Sequence, residues 1–212
     1  MVGCSRTDAG VHAEMFCVHF STGSQIPCER IVPALNVRLP RDIAVTSCQE
    51  VPEDFHARYS CTGKQYDYRI LNARVRDPFW ENRALLFPLP LDAERMDCAA
   101  RAFLGRHDFT AFCSAGSSVA DKVRTVSLAQ VRREGKLITF SVAADGFLYN
   151  MVRIMTGTLL DVGIGKLPPE SLAEIIASGD RERAGQTAPP HGLYLAKVFY
   201  PEPILTGGER IG

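Results

Sequence analysis

The stretch KVRTVSLAQVRREGKLITFSVAA, residues 122–144, constrains the fold more than any other. Two runs alternate apolar and polar side chains on either side of a Glu134-Gly135 turn. A period of two around such a turn is the signature of a β-hairpin. Directly after it, GFLYNMVRIMTGTLLDVG (146–163) reads as a long, mostly apolar helix that stops at glycine. Any fold for this chain must pack that helix and that hairpin together.

The remaining elements fit around them. VHAEMFCVHF (11–20) alternates as a strand, with His12, Glu14, Phe16, Val18 and Phe20 on one face. PCERIVPALN (27–36) reads as a short helix, opened by a tolerated proline and weakened by Pro33. DIAVTSCQEV (42–51) and KQYDYRIL (64–71) read as strands, the second with Tyr66 and Tyr68 on the same face. Asp92 is placed to cap a helix through about Leu104, with Gly105 as its stop. PPESLAEIIASG (168–179) is a shorter helix, LYLAKVFY (193–200) a closing strand, and 201–212 a flexible tail. Strands outnumber helices and arrive in hairpin order, so the expected class is α+β with a mostly antiparallel sheet.

Composition narrows the function classes. The 212 residues carry 24 basic and 24 acidic side chains, so net charge alone argues against a nucleic-acid partner. The distribution is uneven: Arg58, Lys64, Arg69, Arg74, Arg76 and Arg83 face only three acids between residues 56 and 83. That segment is either a solvated face or a phosphate-binding one. Seven cysteines without a C-x-x-C pair indicate reduced thiols and a cytoplasmic setting. No membrane-spanning run and no signal peptide are expected.

Several chemistries lack their patterns. Cys4, His12, Cys17 and His19 are close in sequence, but the strand alternation sends His12 away from the other two strand positions, so no metal is expected. GCSRTDAG (3–10) lacks the Lys-Ser/Thr ending of a phosphate loop and precedes a strand. No Ser nucleophile elbow is present. A Cys nucleophile with His and Asp partners stays open, without a local signature.

Two charged residues stand out. Arg153 lies among Met151, Val152, Ile154 and Met155, on a stripe with Tyr149, Asn150, Thr156 and Gly157. Gly157, one turn on, admits another backbone or a ligand, so Arg153 is placed to pair with a carboxylate from elsewhere. Asp8 sits in a loop too polar and Gly-rich for a core. It is either part of a polar turn or a catalytic group.

The segments SRTDAGVHA (5–13) and FLYNMVRIMTGTLLDVGIGKL (147–167) closely resemble the TruA-type tRNA pseudouridine synthases. NVRLPRDIAV, DFHARYSCTGKQYDYRI, GRHDFTAF and TAPPHGLYLAKVFY continue the match in order to about residue 200. The resemblance implies a pseudouridine-synthase-like fold of two ferredoxin-like halves, with 1–55 a remnant of the N-terminal half and 56–200 the catalytic half. Relative to the family the chain is expected to lack the first strand and helix, leaving an open sheet edge.

The resemblance also implies the reaction: isomerisation of uridine to pseudouridine in the tRNA anticodon stem-loop, at positions 38 to 40, without cofactor or metal. Asp8 would be the catalytic aspartate, attacking either ribose C1′ or the uracil ring. Tyr66 would stack on the flipped base, and Arg153 would pair with Asp8, since an adjacent guanidinium favours an ionised carboxylate. Arg6, Arg58 and Lys64 would hold the RNA. A homodimer is expected. The competing readings are a catalytically impaired RNA-binding protein of the same fold, and a small-molecule-binding α+β domain whose Asp8 loop is a surface turn.

Overall fold

The predicted hairpin forms: residues 123–134 and 137–144 pair antiparallel, with Gly135 at φ +59° in the turn. A register shift between Val126 and Leu128 is what lets Val126, Ala129 and Val131 all point inward. Strict alternation would have put Val126 on the opposite face from the other two, and a bulge restores it.

The computed structural model describes residues 1–117 and 119–201. Its strands are β1 (Val2–Gly3), β2 (His12–Ala13), β3 (Val18–His19), β4 (Gly63–Asn72), β5 (Leu85–Phe87), β6 (Gly105–Asp108), β7 (Val123–Glu134), β8 (Leu137–Ala144) and β9 (Leu193–Phe199). The helices are α1 (Cys28–Asn36), α2 (Ala93–Ala100), α3 (Met151–Gly163) and α4 (Ser171–Ser178). Beyond Pro201 the expected tail lies outside the described residues. Among the described residues no helix is long and apolar enough to cross a membrane.

The chain divides into two compact units. Of the described residues, one unit contains Met1–Ser5, Cys17–Thr62 and 200–201; the other contains Arg6–Phe16 and Gly63–Phe199. The second unit is α+β, with a seven-stranded, mostly antiparallel sheet in the order β2-β9-β4-β8-β7-β6 and β5 beside β4. Among the described residues, only the β2–β9 and β4–β5 pairings are parallel. Central β4 buries Tyr66, Tyr68, Ile70 and Leu71. Buried α3 packs against α2 at Gly163, where a Cβ would come within 2.8 Å of Leu91 and Met96 side-chain atoms. Asp92 caps α2 by accepting the Arg95 N–H at 3.0 Å, as its sequence position predicts.

The first unit carries little regular structure. β1 and β3 pair antiparallel over two residues each, and the Cys4 N–H extends the ladder to the Cys17 carbonyl at 2.9 Å. Helix α1 forms where expected, despite Pro33, but buries none of its residues. Tyr200 donates its hydroxyl to the Ala57 carbonyl at 2.6 Å and meets Phe55 ring to ring at 5.4 Å.

Three sequence expectations are corrected. The strand over 11–20 is two separate two-residue strands, β2 and β3, in different sheets. Its ladder ends where the Glu14 and Met15 N–H groups converge on the single Leu195 carbonyl. The strand over 42–51 is absent, because its β-branched alternation finds no partner strand. Instead the Asn36 amide donates to the Val45 carbonyl (2.8 Å) and accepts the Val45 N–H (2.7 Å). Helix α3 starts at Met151 rather than near 146, because Asn150 turns the chain at φ +61°.

Candidate active site

Asp8 sits on the turn that leads into β2. The Val11 N–H donates to the Asp8 carbonyl at 3.1 Å, and Gly10 closes the turn at φ +83°. A Cβ at Gly10 would also approach the Pro190 ring to 3.3 Å, a tight contact, and the positive φ is what favours glycine here.

The exit from the turn is tied down by stacked and charged side chains. His12 stacks on Tyr194 of β9 with ring centres 4.6 Å apart and planes 19° apart, and its Nε2 lies 2.8 Å from the Asn82 carbonyl. The Tyr194 hydroxyl donates to the Arg83 carbonyl at 2.6 Å. Arg69 of β4 holds its guanidinium carbon 3.9 Å from the Tyr194 ring centre and pairs with the Glu14 carboxylate. The turn therefore enters the sheet through a cation–π and ion-pair cluster.

Arg153 is the third residue of α3, and its guanidinium makes three hydrogen bonds. Nη1 donates to Asp8 Oδ2 at 2.9 Å and to Asn150 Oδ1 at 2.8 Å, while Nε donates to the Ala188 carbonyl at 2.6 Å. The Ala188 N–H returns to the Arg153 carbonyl at 3.1 Å. This exchange depends on Gly157: a Cβ there would lie 1.7 Å from the Gln186 carbonyl oxygen, and one on Gly185 would lie 2.5 Å from the Gly157 backbone. The close backbone approach expected at Gly157 is thus observed, and its visitor is the 185–188 segment. The Arg153 side chain keeps 16% of its surface and Asp8 42%. A guanidinium fixed on three sides faces a carboxylate open to solvent.

Of the β4 tyrosines, Tyr68 lies within reach of the Arg153 charge. Tyr68 is fully buried and donates its hydroxyl to the Pro189 carbonyl at 2.7 Å. Burial raises its phenol well above the ordinary value of 10.0, with the Arg153 charge opposing, so it stays a neutral donor. Tyr66, two residues earlier, is buried with its ring edge-on to Phe147 at 5.0 Å, just ahead of α3. Arg6 is exposed at the start of the turn, and half-buried Lys64 lies on β4 opposite Val198. Arg58 is half-buried in the first unit, its N–H 3.2 Å from His56 Nδ1.

The structure thus brings Asp8 and Arg153 into contact from positions 145 residues apart. Sequence reading missed the groups that hold them: Asn150, Ser114, Tyr68, the 188–189 carbonyls and the Glu14–Arg69 pair. The TAPPHG segment resembled the family but carried no chemical signal of its own. Among the described residues no group of three or more His, Cys, Asp or Glu is arranged to hold a metal ion. His12 stacks on Tyr194, and His19 accepts the Ala57 N–H at 3.0 Å.

Comparison with known proteins adds independent evidence. A family model described as tRNA pseudouridine synthase matches residues 1–60 and 99–201. The tRNA pseudouridine synthase A of Acetivibrio thermocellus is 49% identical over 200 residues, covering 94% of this chain and 82% of its own length. The tRNA pseudouridine synthase A 2 of Clostridium perfringens matches at the same identity and the same coverage, 94% and 82%. That of Halalkalibacterium halodurans is 50% identical over 188 residues, 89% of this chain and 72% of its own. With an α+β fold and collinear motifs behind it, the chain belongs to the tRNA pseudouridine synthase family of isomerases.

Proposed function

We propose that this chain converts uridine to pseudouridine in the tRNA anticodon stem-loop, at positions 38 to 40, with Asp8 as the nucleophile. The observation that carries this reading is the Asp8–Arg153 contact of 2.9 Å, with the carboxylate the more exposed partner. The reaction breaks the N1–C1′ bond, forms a C5–C1′ bond and moves one proton from C5 to N1. Electrons balance without an oxidant or reductant. A carboxylate that adds covalently, at C1′ or at the ring, splits this exchange into two easier steps and is released unchanged.

Arg153 pairs with the carboxylate and aims it. Tyr66 offers an aromatic face to a uracil taken out of its stack. Arg6, Arg58 and Lys64 contribute charge toward phosphates. A cytoplasmic homodimer acting on tRNA belongs to the same reading.

The test is to incubate the protein with unmodified tRNA transcript and map pseudouridine. Wild type is expected to modify the anticodon stem-loop. Asp8→Asn is expected to lose activity by roughly 10⁴-fold or more, as for other nucleophile deletions. Undiminished turnover by Asp8→Asn overturns the assignment.

A further inference from the structure

Asn150 breaks two local rules at once. It is one of only two non-glycine residues with positive φ among the described residues, at φ +61°. It also occupies the N-cap of α3 without making a side-chain cap hydrogen bond. An N-cap Asn normally accepts an N–H from the first turn, worth about 1 kcal/mol to the helix. A sequence that gives up that bond and adopts a left-handed backbone is spending stability on something else, and such departures concentrate at functional sites.

What the amide does instead is visible. Its Oδ1 accepts from Arg153 Nη1 at 2.8 Å, the same nitrogen that donates to Asp8. Its Nδ2 donates to the Ser114 hydroxyl oxygen at 3.0 Å, and the Ser114 N–H donates to the Tyr149 carbonyl at 3.1 Å. Arg153 can only donate, so the amide oxygen must face it, and the NH₂ group is left to donate to Ser114, which ties down the far end of the amide. The left-handed backbone swings the side chain off the helix N-terminus and toward the guanidinium one turn on.

We propose that Asn150, locked by Ser114, is the positioning residue that aims the Arg153 guanidinium at Asp8. This inference rests on the reading of Asp8 and Arg153 as the catalytic pair. Without Asn150, Nε still holds Ala188, but rotation about the end of the side chain carries Nη1 away from the carboxylate. A displacement of this kind near a reacting group costs up to about a hundredfold in rate.

Three substitutions test it. Asn150→Gly keeps the left-handed backbone without strain and deletes the acceptor. Asn150→Ala deletes the same acceptor but strains the backbone. Asn150→Asp keeps an acceptor oxygen toward Arg153. With tRNA transcript as substrate, kcat is expected to fall roughly tenfold to a hundredfold in both Gly and Ala variants. KM should hold, because Asn150 acts on Arg153 and not on the RNA. The thermal midpoint should drop only in the Ala variant, and the Asp variant should recover much of kcat.

Wild-type kcat in Asn150→Gly overturns the proposal, as does a kcat that follows thermal stability across the three. Should the Gly variant not fold, the contrast between Asp and Ala decides. Asp8→Asn is run alongside. If it stays active, the reading of the site has failed; if it is dead while Asn150→Gly is fully active, only the role of Asn150 has.

Discussion

The two charges of the site are held in opposite ways. Arg153 is built into a buried helix, with three acceptors on its guanidinium and 16% of its side chain exposed. Asp8 stands on a solvent-facing turn, 42% exposed, and its restraint comes from residues further along, at His12 and Glu14. On the proposed assignment, the cation would be a fixed post, and the carboxylate would have room to leave it and bond to a substrate. A carboxylate buried as deeply as the arginine would be out of a substrate's reach.

This division can be broken from either side. The largest effect is expected from Gly157→Ala. Alanine usually favours a helix by about 1 kcal/mol over glycine. Here its Cβ would lie 1.7 Å from the Gln186 carbonyl oxygen, which belongs to backbone that cannot step aside cheaply. The clash wins, and a loss of at least about 3 kcal/mol is expected in denaturant unfolding, with activity lost alongside.

Next comes Arg153→Lys, which keeps the charge and discards the fork. An ammonium cannot occupy the Nε and Nη1 positions together, so either Ala188 or Asp8 is abandoned. A kcat decrease of about a hundredfold, near 2.7 kcal/mol, is expected in single-turnover assays, with the protein still folded. The smallest effect belongs to the tethered side. Glu14→Gln weakens a partly exposed pair with Arg69, so stability should change by less than about 1 kcal/mol. Turnover should fall only a few-fold. If Glu14→Gln cost as much as Arg153→Lys, the turn would be as rigid as the helix and the contrast would collapse.

How much of this was legible in the sequence depended on whether a signal was local. The hairpin at 123–144 and the caps of α2 and α4 declare themselves through periodicity, an Asp at the helix start and a glycine at φ +63° after Ser178. The segments 11–20 and 42–51 also alternate, but alternation names a face and not a partner, and a strand without a partner is only extended chain. Arg153 was suspicious as a charge in an apolar run, and Gly157 told that something came close. Asn150 is legible only as a neighbour of Arg153 on one stripe, because NMVR reads as helix interior and its turn shows only in its φ. Glu14 and Arg69 were likewise unremarkable, each an ordinary charge until β2 and β4 paired with opposite edges of β9 and their side chains met across it.

The crossing of Gly157 with Gly185 has a consequence for how such a chain tolerates change over generations. Where two backbones touch without side chains between them, their offset is set by counting residues and not by the fit of any particular group. The Ala188 carbonyl meets Arg153 because Gly185 is pinned at Gly157 and the intervals on both chains are short. Substitutions within those intervals leave the offset alone. An inserted or deleted residue in either would slide the carbonyl past the guanidinium and be felt at Asp8. These stretches are therefore constrained in length, and between Arg153 and Gly157 the buried Ile154, Met155 and Thr156 constrain composition as well.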